Sequence, residues 1–383
     1  MATPAQPKPP ESVRPSQPRI STDRRYEEDM DDSKDLIAYQ EWIDQGKVHV
    51  APLQRVMRVI HDTIYKHFAA FDADAVKMHS WYTRVAIAAV VSGALSVFFA
   101  IAEVTVPEPR IPWTRLLFAW TPLEAIAVIA TLVVISFGRI QNYKERWILA
   151  RFKAERLRLL KFSSLMNPKL WRDPPDLFPA EQELQHQVDQ IRALEYDDAI
   201  RWAKRGVHPY VAESPCKDKY GEAMDELLDY YVPKRIGAQL NYMESHWDKL
   251  ERKAKLSAGW VQIFYWGSFI VVACHLVAQW FTEEGHAQSG DKKVSMVAAG
   301  LALFALILPI IAAAIRTYRS ANEFERSELR HKATFDSLNW IATEIEKQPD
   351  RDKKFALIGF AEIVLEADCR EFLRLLSEAE WYG

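Results

Sequence analysis

The chain has 383 residues, with 49 Lys or Arg against 52 Asp or Glu, so it is nearly neutral and presents no overall field for nucleic acid. Its three cysteines, Cys216, Cys274 and Cys369, lie far apart with no CxxC pair, which fits a reducing compartment better than a disulfide framework and gives no zinc spacing. No HExxH, GxSxG, GxGxxG, GxxxxGK[ST] or paired-carboxylate signature occurs, so no motif speaks for an enzyme, a cofactor or a metal.

Residues 1–34 carry six prolines in the first 18 positions and then a charged run, which predicts a disordered tail without the apolar core of a signal peptide. Next comes a soluble helical lead-in, where Leu53, Val56, Met57, Ile60 and Ile64 recur at steps of three and four and make one apolar face. Trp81 and Tyr82 then mark a membrane interface. Residues 85–102 are uncharged and give a first membrane span. A Pro-rich loop follows, Trp113 and Trp120 sit where the chain re-enters, and 116–137 give a second span with a single acid, Glu124. The basic stretch beyond Gly138 predicts that this span continues as one helix until Asn167-Pro168.

A Pro-rich connector, a surface helix over 180–204 and a loop over 206–215 lead to a helix over 219–255 that should break at Pro233. The third span, 257–281, has Trp260, Trp266 and Trp280 near its ends. The fourth, 294–315, is 22 residues without one charge; at ~1.5 Å per residue it reaches across a hydrocarbon core. Pro309 is tolerated there when a neighbouring helix or water satisfies the carbonyl it frees. An outgoing helix to about 346 and an amphipathic last helix from about 353 to Trp381 complete the chain.

The fold class expected is therefore an all-α membrane protein, with four transmembrane helices as two hairpins and a cytoplasmic helical domain built from helices that extend out of the membrane. The expected divisions are 1–34 tail, 35–163 first two-span repeat, 164–218 connector and surface helix, 219–347 second two-span repeat and 348–383 terminal helix. Lys and Arg concentrate beside the span ends on the side holding both termini and the central segment, which places that side in the cytoplasm of a multi-pass inner-membrane protein. A shift of 179 positions lays one pair of spans on the other and sets RFKAERLRL (from Arg151) on RHKATFDSL (from Arg330). It also pairs His67-Phe68 with His246-Trp247 and Ala75 with Ala254. The shared offset suggests an internal duplication with parallel repeats.

The second half, through YVPKRIGAQLNYMESHWDKLERKAKL, its hairpin, FERSELRHKATFDSLNWIATEIEK and FAEIVLEADCREFLRLLSEAEW, resembles the two-transmembrane SLATT-type domains. The resembling positions are Tyr231, Arg235, Gln239 and Tyr242 before the membrane, Arg330 and Leu338 after it, and Glu362, Glu366 and Trp381 near the end. The first half is similar through Trp147, Arg151, Ala154, Glu155 and Arg158. The resemblance implies a membrane effector of bacterial defence (conflict) systems that forms a pore or disrupts the membrane once a nucleotide-sensing partner is triggered. This chain departs from that layout in having two hairpins and no fused sensor, so a separate partner protein or nucleotide signal would supply the trigger.

Candidate lining residues follow from position. His275 and Gln279 share one face of the third span, Ser92 and Ser96 belong to a small-residue stripe with Ala88 and Ala100, and Glu124 lies near the start of its span. Helix packing, a satisfied histidine and interfacial snorkelling are the alternative readings of these residues. The basic cluster Arg139, Lys144, Arg146, Arg151, Lys153, Arg156 and Arg158 is either a topology determinant or a site for anionic lipid or a nucleotide. Two functions remain: an oligomeric pore-forming effector, or a non-conducting membrane-anchored scaffold or sensor. A transporter is weaker, resting on Pro122 and Pro309 at nearly matching places.

Overall fold

A computed structural model describes residues 29–37, 51–105, 120–172, 177–205, 221–285, 292–322 and 324–378. Most of the expected tail, the loop carrying Trp113, the 206–215 loop, Trp381 and the side chain of Gln279 lie outside the described residues. Among those residues every regular element is helical. In chain order they are α1 (Ala51–Thr105), α2 (Trp120–Gln141), α3 (Tyr143–Leu165), α4 (Phe178–Ala193), α5 (Tyr196–Lys204), α6 (Gly221–Tyr231), α7 (Ala238–Gly285), α8 (Lys292–Asn322), α9 (Phe324–Lys347) and α10 (Arg351–Glu378). Four of the helical stretches are long and apolar enough to cross a membrane.

α1 shows in one helix how the chain divides its solvents. The stripe Leu53, Val56, Met57, Ile60 and Ile64 is fully buried, whereas Ile87, Val91, Leu95 and Val97 further along are exposed. The first part packs in a protein core and the second presents hydrocarbon outward, which water would not tolerate over such a length. The buried core joins the start of α1 to Leu157 and Phe162 of α3, Leu184 and Val188 of α4, Leu227 of α6, Leu338 and Ile341 of α9, and Phe355 and Ile358 of α10. α1 packs against α2 and α3, α7 packs against α8 and α9 in the same manner, and α8 also touches α1. Moved forward by 179 positions, α2 falls within α8 and α3 falls on α9, so the helix pattern repeats at the offset found in the sequence.

Four local expectations change. The helix after the second span does not run unbroken, because Asn142 adopts a left-handed conformation (φ 48°) between α2 and α3, a conformation Asn takes more readily than other side chains. The surface helix over 180–204 is two helices, α4 and α5, and α4 buries Ala180, Leu184, Val188 and Ile191 in the core. Pro233 does not break the chain; it sits in a widened π turn, Val232–Gly237, that passes α6 into α7. Finally, the tail ends sooner than its composition predicts, since Asp29 and Asp32 are packed in the interior with a helical turn over 33–37 behind them.

Candidate functional site

The interior of the helical body holds a cluster of charges rather than a purely apolar core. α3 places Arg151, Glu155, Arg158 and Lys161 along one face, at helical steps of three and four. The π turn adds Lys234 and Arg235 just after Tyr230 and Tyr231, and both basic side chains are buried. The N-terminal segment contributes Asp29, Asp32 and Asp35, and α10 contributes Glu362.

Arg235 grips Glu362 with two hydrogen bonds, Nε to Oε1 at 3.0 Å and Nη2 to Oε2 at 3.1 Å, and the Tyr231 hydroxyl donates to the same carboxylate. Its guanidinium also stacks over Phe162, 4.5 Å from the ring centre. Asp29 lies 3.1 Å from Arg158 and 3.7 Å from Arg235. Burial pushes the Asp29 carboxyl above its ordinary range, against the pull of Arg158, Arg235 and Lys161. Lys161 donates to Asp32 Oδ1 at 2.9 Å and to the Asp29 carbonyl at 2.6 Å, and the Tyr230 hydroxyl donates to Asp32 at 2.6 Å. Lys234 reaches Asp35 at 2.6 Å and the Asp31 carbonyl at 2.8 Å.

At the edge of the cluster Arg151 bridges Asp72 of α1 (3.0 Å) and Glu155 (2.6 Å). Burial would raise the Glu155 carboxyl, but Arg151 and Arg158 more than offset it and hold it down to about 2. Such paired charges do little for net stability, yet leaving one of them alone in the interior costs ~3–5 kcal/mol. The cluster ties the N-terminal segment, α3, the π turn and α10 to one another.

Beside it, between α3, α4 and α10, opens a cleft of about 380 Å³ with Arg156, Ser163, Gln187, Glu362 and Glu366 among its walls. Most of its polar groups are already committed. Glu362 is held by Arg235, Glu366 accepts from Arg370 at 2.9 Å, and the Ser163 hydroxyl donates to the Leu160 carbonyl at 3.1 Å. Among the described residues no group of His, Cys, Asp and Glu side chains has a metal-binding arrangement.

The structure distributes the sequence-selected residues unevenly. Of the resembling positions, Tyr231 and Arg235 meet at Glu362, Gln239 is buried one turn on, and Arg330 pairs with Asp368 of α10 at 3.0 Å. Tyr242 stands edge-on to His331 with 6.0 Å between ring centres. The basic cluster splits by position. Arg139 and Arg146 are exposed near the span and Lys144 is half-buried, while Arg151 and Arg158 belong to the interior cluster. Lys153 donates to the Arg192 carbonyl at 2.7 Å, and Arg156 lies over the Trp202 ring.

In the spans, Ser92 donates to the Ala88 carbonyl at 2.7 Å and Ser96 to the Gly93 carbonyl at 2.8 Å, so both hydroxyls are satisfied by their own helix. Glu124 and His275 are half-buried, and His275 Nδ1 is buried without a hydrogen-bond partner. The residues that sequence reasoning missed are Asp29, Asp32, Lys161, Tyr230 and Lys234. Their visible signals were an acidic run, 29–35, and a basic helix far along the chain. No family model, no curated protein and no solved structure matches this chain.

Proposed function

We propose that the chain is an oligomeric pore-forming or channel-like membrane effector. In this reading it crosses a cytoplasmic (inner) membrane four times as two hairpins, with both termini and the helical body in the cytoplasm. The observation that carries it is the continuity of α1, one helix from the buried stripe at Leu53–Ile64 to the exposed apolar face at Ile87–Val97. A movement of the body reaches the first span directly, and α7 gives the third span the same connection. Outward faces such as Ile126, Leu132, Phe269 and Ile270 are more than half exposed, an apolar surface suited to lipid and to neighbouring copies. Four spans enclose little alone, so several chains build the path. The trigger in this reading is a separate partner protein or nucleotide signal of a bacterial defence system.

A second reading, a non-conducting membrane-anchored scaffold or sensor, draws on Ser92 and Ser96, whose hydroxyls turn back to their own helix instead of toward a water path. Reconstitution of the purified full chain in planar bilayers separates the two. The pore reading expects unitary current steps together with a detergent-corrected mass several times 44.2 kDa. A monomer or dimer in silent bilayers overturns it in favour of the scaffold.

A further inference from the structure

The fourth span carries its proline inside the helix: Pro309 lies within α8. Proline has no N–H, so the carbonyl four residues earlier, that of Ala305, loses its helical donor, and the pyrrolidine ring crowds the same carbonyl. In hydrocarbon no water is at hand to satisfy it. Ser268 of α7 does so instead, its hydroxyl donating to the Ala305 carbonyl oxygen at 2.9 Å from a buried position. Other span hydroxyls behave differently: Ser92, Ser96 and Thr131 each donate to a carbonyl of their own helix. The two helices lie close here: a methyl at the neighbouring Gly267 would meet Leu308 at 3.5 Å, an ordinary van der Waals contact.

The first pair of spans lacks this arrangement. At the places 179 residues earlier stand Ala89, Ile126 and Ala130, with neither a hydroxyl nor a proline. We infer that Ser268 and Pro309 form a latched hinge in the fourth span. Ser268 is the positioning residue that holds α8 in the conformation seen here, and breaking its bond releases the Ala305 carbonyl at the proline. Carbonyls freed in interrupted membrane helices are groups that coordinate cations, so the released oxygen is offered to water or a cation. That gating consequence rests on the pore reading; the latch itself does not.

The test is a double-mutant cycle on the full chain in detergent, using Ser268→Ala, Pro309→Ala and both together. With Pro309 present, loss of the hydroxyl should shift the unfolding equilibrium by about threefold, the size of an average hydrogen bond between membrane helices. In the Pro309→Ala background it should shift almost nothing, because the restored amide supplies the helical donor. Ser268→Thr keeps the hydroxyl and should behave as the parent. If Pro309→Ala does not fold, Pro309→Gly restores the same amide. An equal loss in both backgrounds overturns the latch, since Ser268 would then act by packing alone. In bilayers Ser268→Ala should raise the open fraction and Pro309→Ala lower it. Unchanged gating beside an intact coupling overturns the gating role, and silence of every variant including the parent overturns the pore reading while the cycle still decides the latch.

Discussion

Arg151 and Arg330 hold the same place in two outgoing helices, 179 residues apart, yet they bind different parts of the molecule. Arg151 turns to Asp72 on its own lead-in helix, α1, so the first unit is tied to itself. Arg330 turns to Asp368 on α10, where it meets both the carboxylate and the backbone carbonyl, and Thr334 donates to the other carboxylate oxygen at 2.9 Å. The counterpart of Asp72 in the second unit, Glu251, pairs with Lys255 within its own helix. The second unit thus takes its acid from the terminal helix. At this arginine the first unit is closed and the second open, since Arg330 reaches α10, the helix that also supplies Glu362 to the central charge cluster.

The largest test of that asymmetry is a pair of substitutions. Arg330→Ala strands Asp368, whose carboxyl burial already pushes above its ordinary range despite Arg330 and Thr334, and should cost ~2–3 kcal/mol. Arg151→Ala frees Asp72, which can return to water, and leaves Glu155 still paired with Arg158, so it should cost less, ~1 kcal/mol. Denaturant unfolding in micelles gives the two losses, and amide exchange gives their place: α10 for Arg330, the α1–α3 contact for Arg151. A larger loss for Arg151→Ala, or loss of protection over the same helices in both variants, would break the comparison.

Next in size is a pH dependence found in the open unit. His331 is buried beside Arg330, with Tyr242 and His246 of α7 facing it, and its Nε2 lies 3.4 Å from the Arg330 guanidinium. Arginine only donates, so that nitrogen is the acceptor and the proton sits on Nδ1, which is buried without a partner. Burial, then Arg330 and His246, lowers the imidazole to about 3 from its ordinary 6.5. The unfolded chain therefore binds the extra proton between those values. Stability is complete above about pH 6.5 and falls as the pH drops toward 3. Between pH 7 and pH 5 the linkage amounts to ~2 kcal/mol. His331→Phe should flatten that slope in acid titrations followed by unfolding, and an unchanged slope would assign it to other groups.

How much of this was legible in the sequence depends on how far the physics reaches along the chain. The spans were visible because hydrocarbon solvation is a local property: about twenty apolar neighbours suffice. The stripe Leu53, Val56, Met57, Ile60 and Ile64 was visible for the same reason, a period read within a few turns. The charge cluster was hidden because its members pair over long separations, 129 residues for Lys161 with Asp32 and 198 for Tyr230 with Asp32. A Pro-rich, acid-rich beginning has the composition of a disordered tail until its partners are known. Pro233 predicted a stop, and only the packing of Tyr231 and Arg235 against Glu362 makes a widened turn the better solution. Of the candidate lining residues, the serines were chosen by spacing, which cannot report that a hydroxyl is already bonded to its own helix.

The smallest effect lies where the two units are most alike. Lys153 and Lys332 are equivalent by the same offset, and each ammonium sits over an aromatic ring of its lead-in helix, Phe71 at 5.3 Å and Trp247 at 5.4 Å. A cation over a ring at a partly exposed site contributes ~0.5–1 kcal/mol, so Lys332→Met should lose about that much. Lys153 also donates to the Arg192 carbonyl at the end of α4, a bond typically worth ~1 kcal/mol net, so Lys153→Met should lose roughly twice as much. Methionine keeps the apolar stem over the ring, which leaves charge and hydrogen bonding as the quantities removed. The difference between the two losses therefore isolates what the first unit gained by reaching α4. Equal losses in parallel denaturant titrations would mean that this contact adds nothing, and the two lysines would then be alike in energy as well as in place.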